Sequence, residues 1–158
     1  MTTEDRRVTL RFLAEPTSVN FDGKVHGGSV MKWIDEAGYA CASGWSGAYC
    51  VTVYVGGIRF YRPILVGHLV EVTAKIIYTG TSSIHIAVDV HAGDPKERIL
   101  TKTTHCIIVF VALDEHGKPG HVKTWTPTSE EDRALEQYAK RLRELRRDIE
   151  DEMKPYIE

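Results

Sequence analysis

Apolar and polar residues alternate along "RVTLRFLAE", Arg7–Glu15, a period of two that predicts a first strand. Pro16 ends it, and "TSVNFDGKVHGG" follows as a loop carrying three glycines. From about Gly28 to Trp45 the period lengthens to that of a helix. At 100° per residue, Val30, Trp33, Ile34, Ala37, Cys41 and Trp45 share one broad face, and Lys32, Glu36 and Ser43 lie opposite. Gly28, Met31, Asp35, Gly38 and Ala42 form a narrower stripe on the border, with Asp35 its one charge. The many Ala and Gly residues weaken helix propensity but permit strands to approach closely, so packing must hold this helix.

From residue 50 the pattern is that of strands. "CVTVYVGGIRFYRPI" reads as one long strand with a bulge at Gly56–Gly57, and "GHLVEVTAKIIYTG", "SSIHIAVDVHA" and "ERILTKTTHCIIVFVALD" as three more. The joints between them are short, which favours antiparallel neighbours. The expected layout is α+β: a helix after the first strand, then a four-strand meander, forming a curved antiparallel sheet wrapped around one central helix. The tail differs. Thr128 with Glu131 three residues on reads as a capping box, and Leu135, Tyr138, Leu142, Leu145 and Ile149 recur at spacings 3, 4, 3, 4 among charges of both signs. This predicts an amphipathic C-terminal helix, laid on its own sheet or on a neighbouring subunit. We divide the chain into a domain over 1–125 and a helical extension over 126–158.

Composition narrows the class. With 158 residues, 42% hydrophobic and 27% charged, the chain is long enough for one well-buried core. A net charge of −2 offers no broad attraction to nucleic acid or anionic lipid, so any anion must be met by a local site. Cys41, Cys50 and Cys106 are odd in number and lie in apolar segments without CxxC spacing, which suits reduced, packed thiols. The charged start "TTEDRR" has no signal-like apolar stretch, and no apolar run is long enough to span a bilayer. A cytoplasmic protein with neither nucleic-acid nor membrane partners is expected.

Candidate chemistry gathers at the loop-to-helix junction. A helix start presents unpaired N–H groups and the positive dipole end, and Gly27 and Gly28 would allow a ligand to approach the backbone. That geometry suits a carbonyl oxygen gaining negative charge. Two glycines before a helix also serve as an ordinary tight turn, Asn20 as an ordinary turn residue, and Asp35 as a boundary residue capped by water or paired with Lys32. Asp35 lies seven residues past Gly28, ~10 Å along the axis, so the two cannot meet one carbonyl carbon from the same chain. If both act, they come from different subunits. His26 beside the glycines is a candidate for touching substrate. His85, Asp89 and His91 share a strand face but spread along ~20 Å, too far for one zinc ion, and read as a polar outer face or subunit contact; no metal is expected. There is no P-loop, no strand–GxGxxG–helix unit and no GxSxG elbow.

"NFDGKVHGGSVMKWIDEAG" resembles the signature of hot-dog-fold acyl-CoA thioesterases of the acyl-CoA hydrolase type, through Asn20, Gly23, Gly27, Gly28 and Asp35. "VGGIRFYRPILVGHLVEVTAKIIYTGTSSIHIAVDV" is similar to that family's F-x-x-P-[IV]-x-x-G strand and G-x-[ST]-S turn, and "IIVFVALDEHGKP" to its last core strand. The resemblance spans roughly Arg7 to Pro119. It implies a single hot-dog domain that hydrolyses acyl-CoA to free acid and CoA, with coenzyme A as part of substrate and product and no cofactor. Carried over, Asp35 would be general base or nucleophile, with Asn20 and the Gly28 amide supplied by the partner subunit of a homodimer. Gly80, Thr81, Ser82 and Ser83 would lie along the pantetheine and phosphates, with Arg59, Arg62 and Lys102 as phosphate partners and His26 and Gly27 near the substrate. The acyl chain would lie near Met31, Trp33 and Tyr39. The family pattern favours a trimer of dimers. Two other functions stay open: an acyl-thioester hydratase or dehydratase, and a non-catalytic acyl-CoA sensor.

Overall fold

A computed structural model of the protein describes residues 6–157, so most of the charged start lies outside the described residues. Five strands, β1 (Arg7–Leu13), β2 (Cys50–Phe60), β3 (Leu69–Thr79), β4 (Ser83–Gly93) and β5 (Thr101–Ala112), accompany two helices, α1 (Gly27–Ser46) and α2 (Glu130–Ile157). The sheet is antiparallel throughout, in the order β1-β3-β4-β5-β2. The expected meander holds only from β3 to β5. β2 pairs with β5 rather than β3, because β1 already occupies the outer side of β3. Residues 61–68 therefore cross one end of the sheet, where buried Ile64 accepts a hydrogen bond from the Val25 N–H.

Alternation along the strands divides the side chains between two faces. Ile84, Ile86, Val88 and Val90 of β4, with Cys106, Ile108 and Phe110 of β5, join Val30, Ile34, Ala37, Cys41 and Trp45 of α1 in the main core. α1 touches all five strands. The close approach anticipated from its small residues occurs at Gly38, where a Cβ would lie 2.8 Å from a Phe110 ring carbon and 3.1 Å from Ile108. Gly47, at φ 66°, ends the helix in the left-handed conformation that glycine adopts without strain. β2 shifts register between Gly56 and Arg59, at the predicted bulge, and also between Thr52 and Tyr54.

Cys41, Cys50 and Cys106 are free and buried. Burial pushes the Cys41 and Cys106 thiols up to about 12 and raises that of Cys50. On the opposite sheet face, Ile77, Ala87, Ile107 and Val109 pack against Ala139, Leu135, Tyr138 and Leu142 of α2. Of the polar residues of β4, His85 and Asp89 thus lie beside the chain's own tail. Asp89 accepts from His105 Nδ1 at 2.8 Å, and His105 Nε2 lies 2.8 Å from the Tyr138 hydroxyl. Burial, with Arg146 and Arg143 nearby, holds the His85 pKa down at about 4. The cap of α2 is Ser129 rather than Thr128: its hydroxyl accepts from the Asp132 N–H at 3.0 Å, one residue later than the motif suggested. Leu145 and Ile149 of the predicted seam are exposed. Among the described residues no helix is long and apolar enough to cross a membrane.

Candidate active site

Asn20 closes the loop before α1. Its Oδ1 accepts from the N–H groups of Asp22 (2.9 Å) and Lys24 (3.2 Å), its backbone N–H donates to Lys24 O at 2.6 Å, and Gly23, at φ 76°, makes the reversal possible. Using Oδ1 for the turn leaves both Nδ2 protons without an acceptor among the described residues. The turn role and a donor role therefore coexist in one side chain. The amide borders a cleft of about 260 Å³, shared with Gly27, Phe60, Arg62, Ile64 and Thr103.

The helix start is open. His26 is the N-cap but makes no side-chain cap bond, and the amides of Gly27 and Gly28 have no acceptor among the described residues. A Cβ at Gly27 would press on the Phe60 ring at 3.3 Å, whereas the space beside Gly28 is empty to 4 Å. Gly28 thus leaves open space beside the dipole end of the helix. The His26 ring is exposed and has no carboxylate partner among the described residues.

Asp35 sits two turns further along α1, exposed in the single chain. Its Oδ1 accepts from the Thr52 hydroxyl at 2.6 Å, a short bond of the kind carboxylates make. Lys32 pairs with Glu36 at 3.9 Å and leaves Asp35 unpaired, so the ordinary ion-pair explanation for this charge does not apply. Thr52 has no sequence signature: threonine is common in strands, and nothing along the chain sets this one apart from Thr73 or Thr101. Met31 and Tyr39 flank Asp35 on the same exposed stripe. Trp33 does not join them; it packs edge-on against Phe12 of β1, with ring centroids 4.8 Å apart, because it projects from the other side of α1.

These groups sort to the two ends of the sheet. Asn20, Gly27, Gly28, Arg59, Phe60 and Arg62 lie at the end where β2 finishes, and Asp35 is held over Thr52, near the end where β2 begins. Gly80–Ser83 also lies at the latter end, since Ser83 pairs with Val111 and Cys50 with Ala112. The length of β4 separates this turn from Asn20 by ~30 Å. Its backbone is already engaged: Ser82 O accepts from Ala112 and Thr81 O from Val122, and the Ser83 hydroxyl lies 3.2 Å from His85 Nε2. Arg59 stacks over Tyr61 with its guanidinium 5.2 Å from the ring, and Arg62 donates to Lys102 O at 2.8 Å; both are exposed. Lys102 pairs with Asp89 at 3.2 Å, away from this cleft.

The sequence profile of the thioesterase superfamily matches residues 22–99. Over 127 residues the chain is 35% identical to the acyl-CoA thioester hydrolase YciA of Salmonella typhimurium, covering 75% of this chain and 95% of that one. The acyl-CoA hydrolase of Staphylococcus aureus, solved with butyryl coenzyme A and coenzyme A, superposes with a TM-score of 0.87 at 25% identity over 98% of this chain and 96% of its own. That hydrolase is also solved as alanine variants of an aspartate, a threonine and an asparagine. A hexameric thioesterase of Yersinia pestis superposes with a TM-score of 0.67 at 34% identity, covering 72% and 93% of the two chains.

Proposed function

This chain belongs to the thioesterase superfamily and is an acyl-CoA thioester hydrolase of hot-dog fold, and from that premise we propose that Asp35 drives hydrolysis in a site completed by Asn20 and the Gly28 amide of a second copy. The observation that carries the reading is the placement of the two half-sites along β2. One edge of β2 pairs with β5 and the other is unpaired among the described residues. That free edge is long and bears exposed Val53 and Val55, whereas the opposite sheet edge, β1, is short and carries Arg7 and Arg11. Antiparallel pairing of two β2 edges around a twofold axis puts the beginning of one β2 beside the end of the other. Asp35 of one chain then meets Asn20 and Gly28 of its partner.

In this site the Gly28 amide donates to the thioester oxygen, and Asn20 Nδ2 holds the attacking water or the carbonyl. Thr52 orients Asp35 by occupying Oδ1, which leaves Oδ2 for the water. Asp35 takes a proton as water adds to the carbonyl carbon, and the resulting oxyanion is stabilised at the helix start. Collapse breaks the C–S bond, and the proton on Asp35 passes to the departing thiolate, giving acid and CoA. Direct attack by Asp35, with an anhydride hydrolysed in a second step, uses the same groups. The same pairing sets Gly80–Ser83 of the Asp35 chain and Arg59 and Arg62 of the other around one site, where they meet the pantetheine and phosphates. The replaced asparagine, aspartate and threonine of the Staphylococcus aureus enzyme are spaced as Asn20, Asp35 and Thr52 are here, which supports this trio. The hexameric relative supports assembly of these dimers into a hexamer.

Thiol release from a panel of acyl-CoAs tests the reading. Asp35→Ala and Asn20→Ala should each lower kcat by about 100-fold or more. When the two inactive chains are mixed, half the dimers are hybrid with one intact site each, so about a quarter of parental activity returns. Hybrids that form without regaining activity would rule out the shared site.

A further inference from the structure

Helix α2 is longer than the face it covers. It enters over β1 and β3, where Asp132 pairs with Arg6 at 2.7 Å and Glu131 with Lys75 at 4.0 Å. It crosses β5 at the Tyr138–His105 contact and reaches β2 at Arg146, whose guanidinium lies 4.9 Å from the Tyr54 ring. Residues 147–157 are all exposed and run on for ~16 Å, the width of about three further strands. Beyond β2 the chain has no sheet of its own to offer. Yet the apolar seam continues, with Leu145 39%, Ile149 51%, Met153 51% and Tyr156 89% exposed.

Charge along the helix falls into blocks. Between Lys140 and Arg147 five cations stand with one acid, Glu144, and Asp148, Glu150, Asp151 and Glu152 follow directly. Within the helix Lys140 pairs with Glu136, Arg141 with Glu144 and Arg146 with Glu150, which leaves Arg143 and Arg147 without an ion pair among the described residues. Arg143 donates to the Tyr78 hydroxyl at 3.0 Å, but it makes no ion pair among the described residues, and its Nε is buried without an acceptor. Two such helices laid antiparallel set each acidic block beside the other's basic block. Parallel pairing would set like beside like.

We propose that the distal part of α2, from Leu145 onward, is a clasp for a second copy of this chain: two α2 helices cross the β2 seam antiparallel, apolar stripe to apolar stripe and acidic block to basic block. The occupant follows from self-complementary charge and from continuity with the sheet edge across which the overhang lies. The proposal rests on the dimer of the preceding section but on different residues, on the outer sheet face and away from Asp35.

Sedimentation across a dilution series tests it with three altered proteins. A chain ending at Arg147, and the double variant Ile149→Asp/Met153→Asp, should each raise the half-dissociation concentration by about tenfold or more. Reversing the acidic block (Asp148, Glu150, Asp151 and Glu152→Lys) should weaken self-association comparably. Mixing that protein with Lys140→Glu/Arg141→Glu/Arg147→Glu should restore association to the parental concentration, an outcome that a merely misfolded helix cannot give. Unchanged dissociation in both the truncated and double-variant chains, or no recovery in the mixture, overturns the clasp and leaves the stripe to another occupant. Activity recovery by the Asp35→Ala and Asn20→Ala mixture reports separately on the shared site, so the two readings fail independently.

Discussion

Replacing Thr52 by Val removes one hydroxyl and keeps the shape of the side chain, which isolates the 2.6 Å bond to Asp35. Thr52 makes no other side-chain hydrogen bond among the described residues, and β2 keeps a β-branched residue at that place, so the fold should be untouched. A hydrogen bond to a charged group contributes roughly 1.5–3 kcal/mol, and water can replace part of it at this exposed site. At about 1.4 kcal/mol per factor of ten, kcat should fall roughly 10- to 100-fold. KM should stay within about twofold, because the hydroxyl touches the carboxylate and not the substrate. Thr52→Ser should recover most of the loss. The assay is initial-rate thiol release at saturating and limiting acyl-CoA, with a thermal melt beside it. A Val variant that melts like the parent and keeps its kcat would refute the orienting role. A raised KM at constant kcat would move the hydroxyl from the base to the substrate.

Three further perturbations address the frame around the site. Gly38→Val drives methyl groups into Phe110 and Ile108 and should cost about 1–3 kcal/mol in urea unfolding; an unchanged midpoint would contradict the close approach. Ser129→Ala removes the α2 cap and should cost about 1 kcal/mol, read by the same titration. Asp89 carries a pH signature. Burial would push its carboxyl up, but the His105 hydrogen bond and the charges of His105 and Lys102 outweigh burial and hold it below the usual range. A depressed carboxylate stabilises the fold above its unfolded pKa of about 3.9, and the contribution is lost as pH falls through the lower folded value. Asp89→Asn should therefore lower stability near neutral pH and flatten the decline below about pH 4; a parental acid limb in the variant would show that Asp89 does not contribute.

The strands and both helices were legible because each has a clean period and clear punctuation, Pro16 among the marks. The neighbour of β2 was not, since local periodicity carries no information on which strand supplies the next hydrogen bonds. Short joints suggested β3, whereas the early strand β1 had taken that place. Asn20, Gly28 and Asp35 stood out through the resemblance to a family signature, and the rise of a helix already separated Gly28 from Asp35. Thr52 was invisible because its role exists only across a contact between α1 and β2. Trp33 lies on the broad apolar face that the wheel gave it, but the wheel could not name the wall, Phe12, that receives it. The cap of α2 was off by one residue, as Thr128 and Ser129 both offer a hydroxyl and only the backbone path decides between them.

The buried cysteines have a consequence for a protein that sets a thiol free at every turnover. Cys41 and Cys106 are buried, and burial pushes both thiols up to about 12, so at neutral pH neither is held as the reactive thiolate. Neither side chain can readily attack a disulfide or be captured as a mixed disulfide with the released CoA. The enzyme can therefore work in its own product without becoming modified by it. A thiol-reactive dye added to the folded protein should register the sulfur of CoA and almost none of the chain's own.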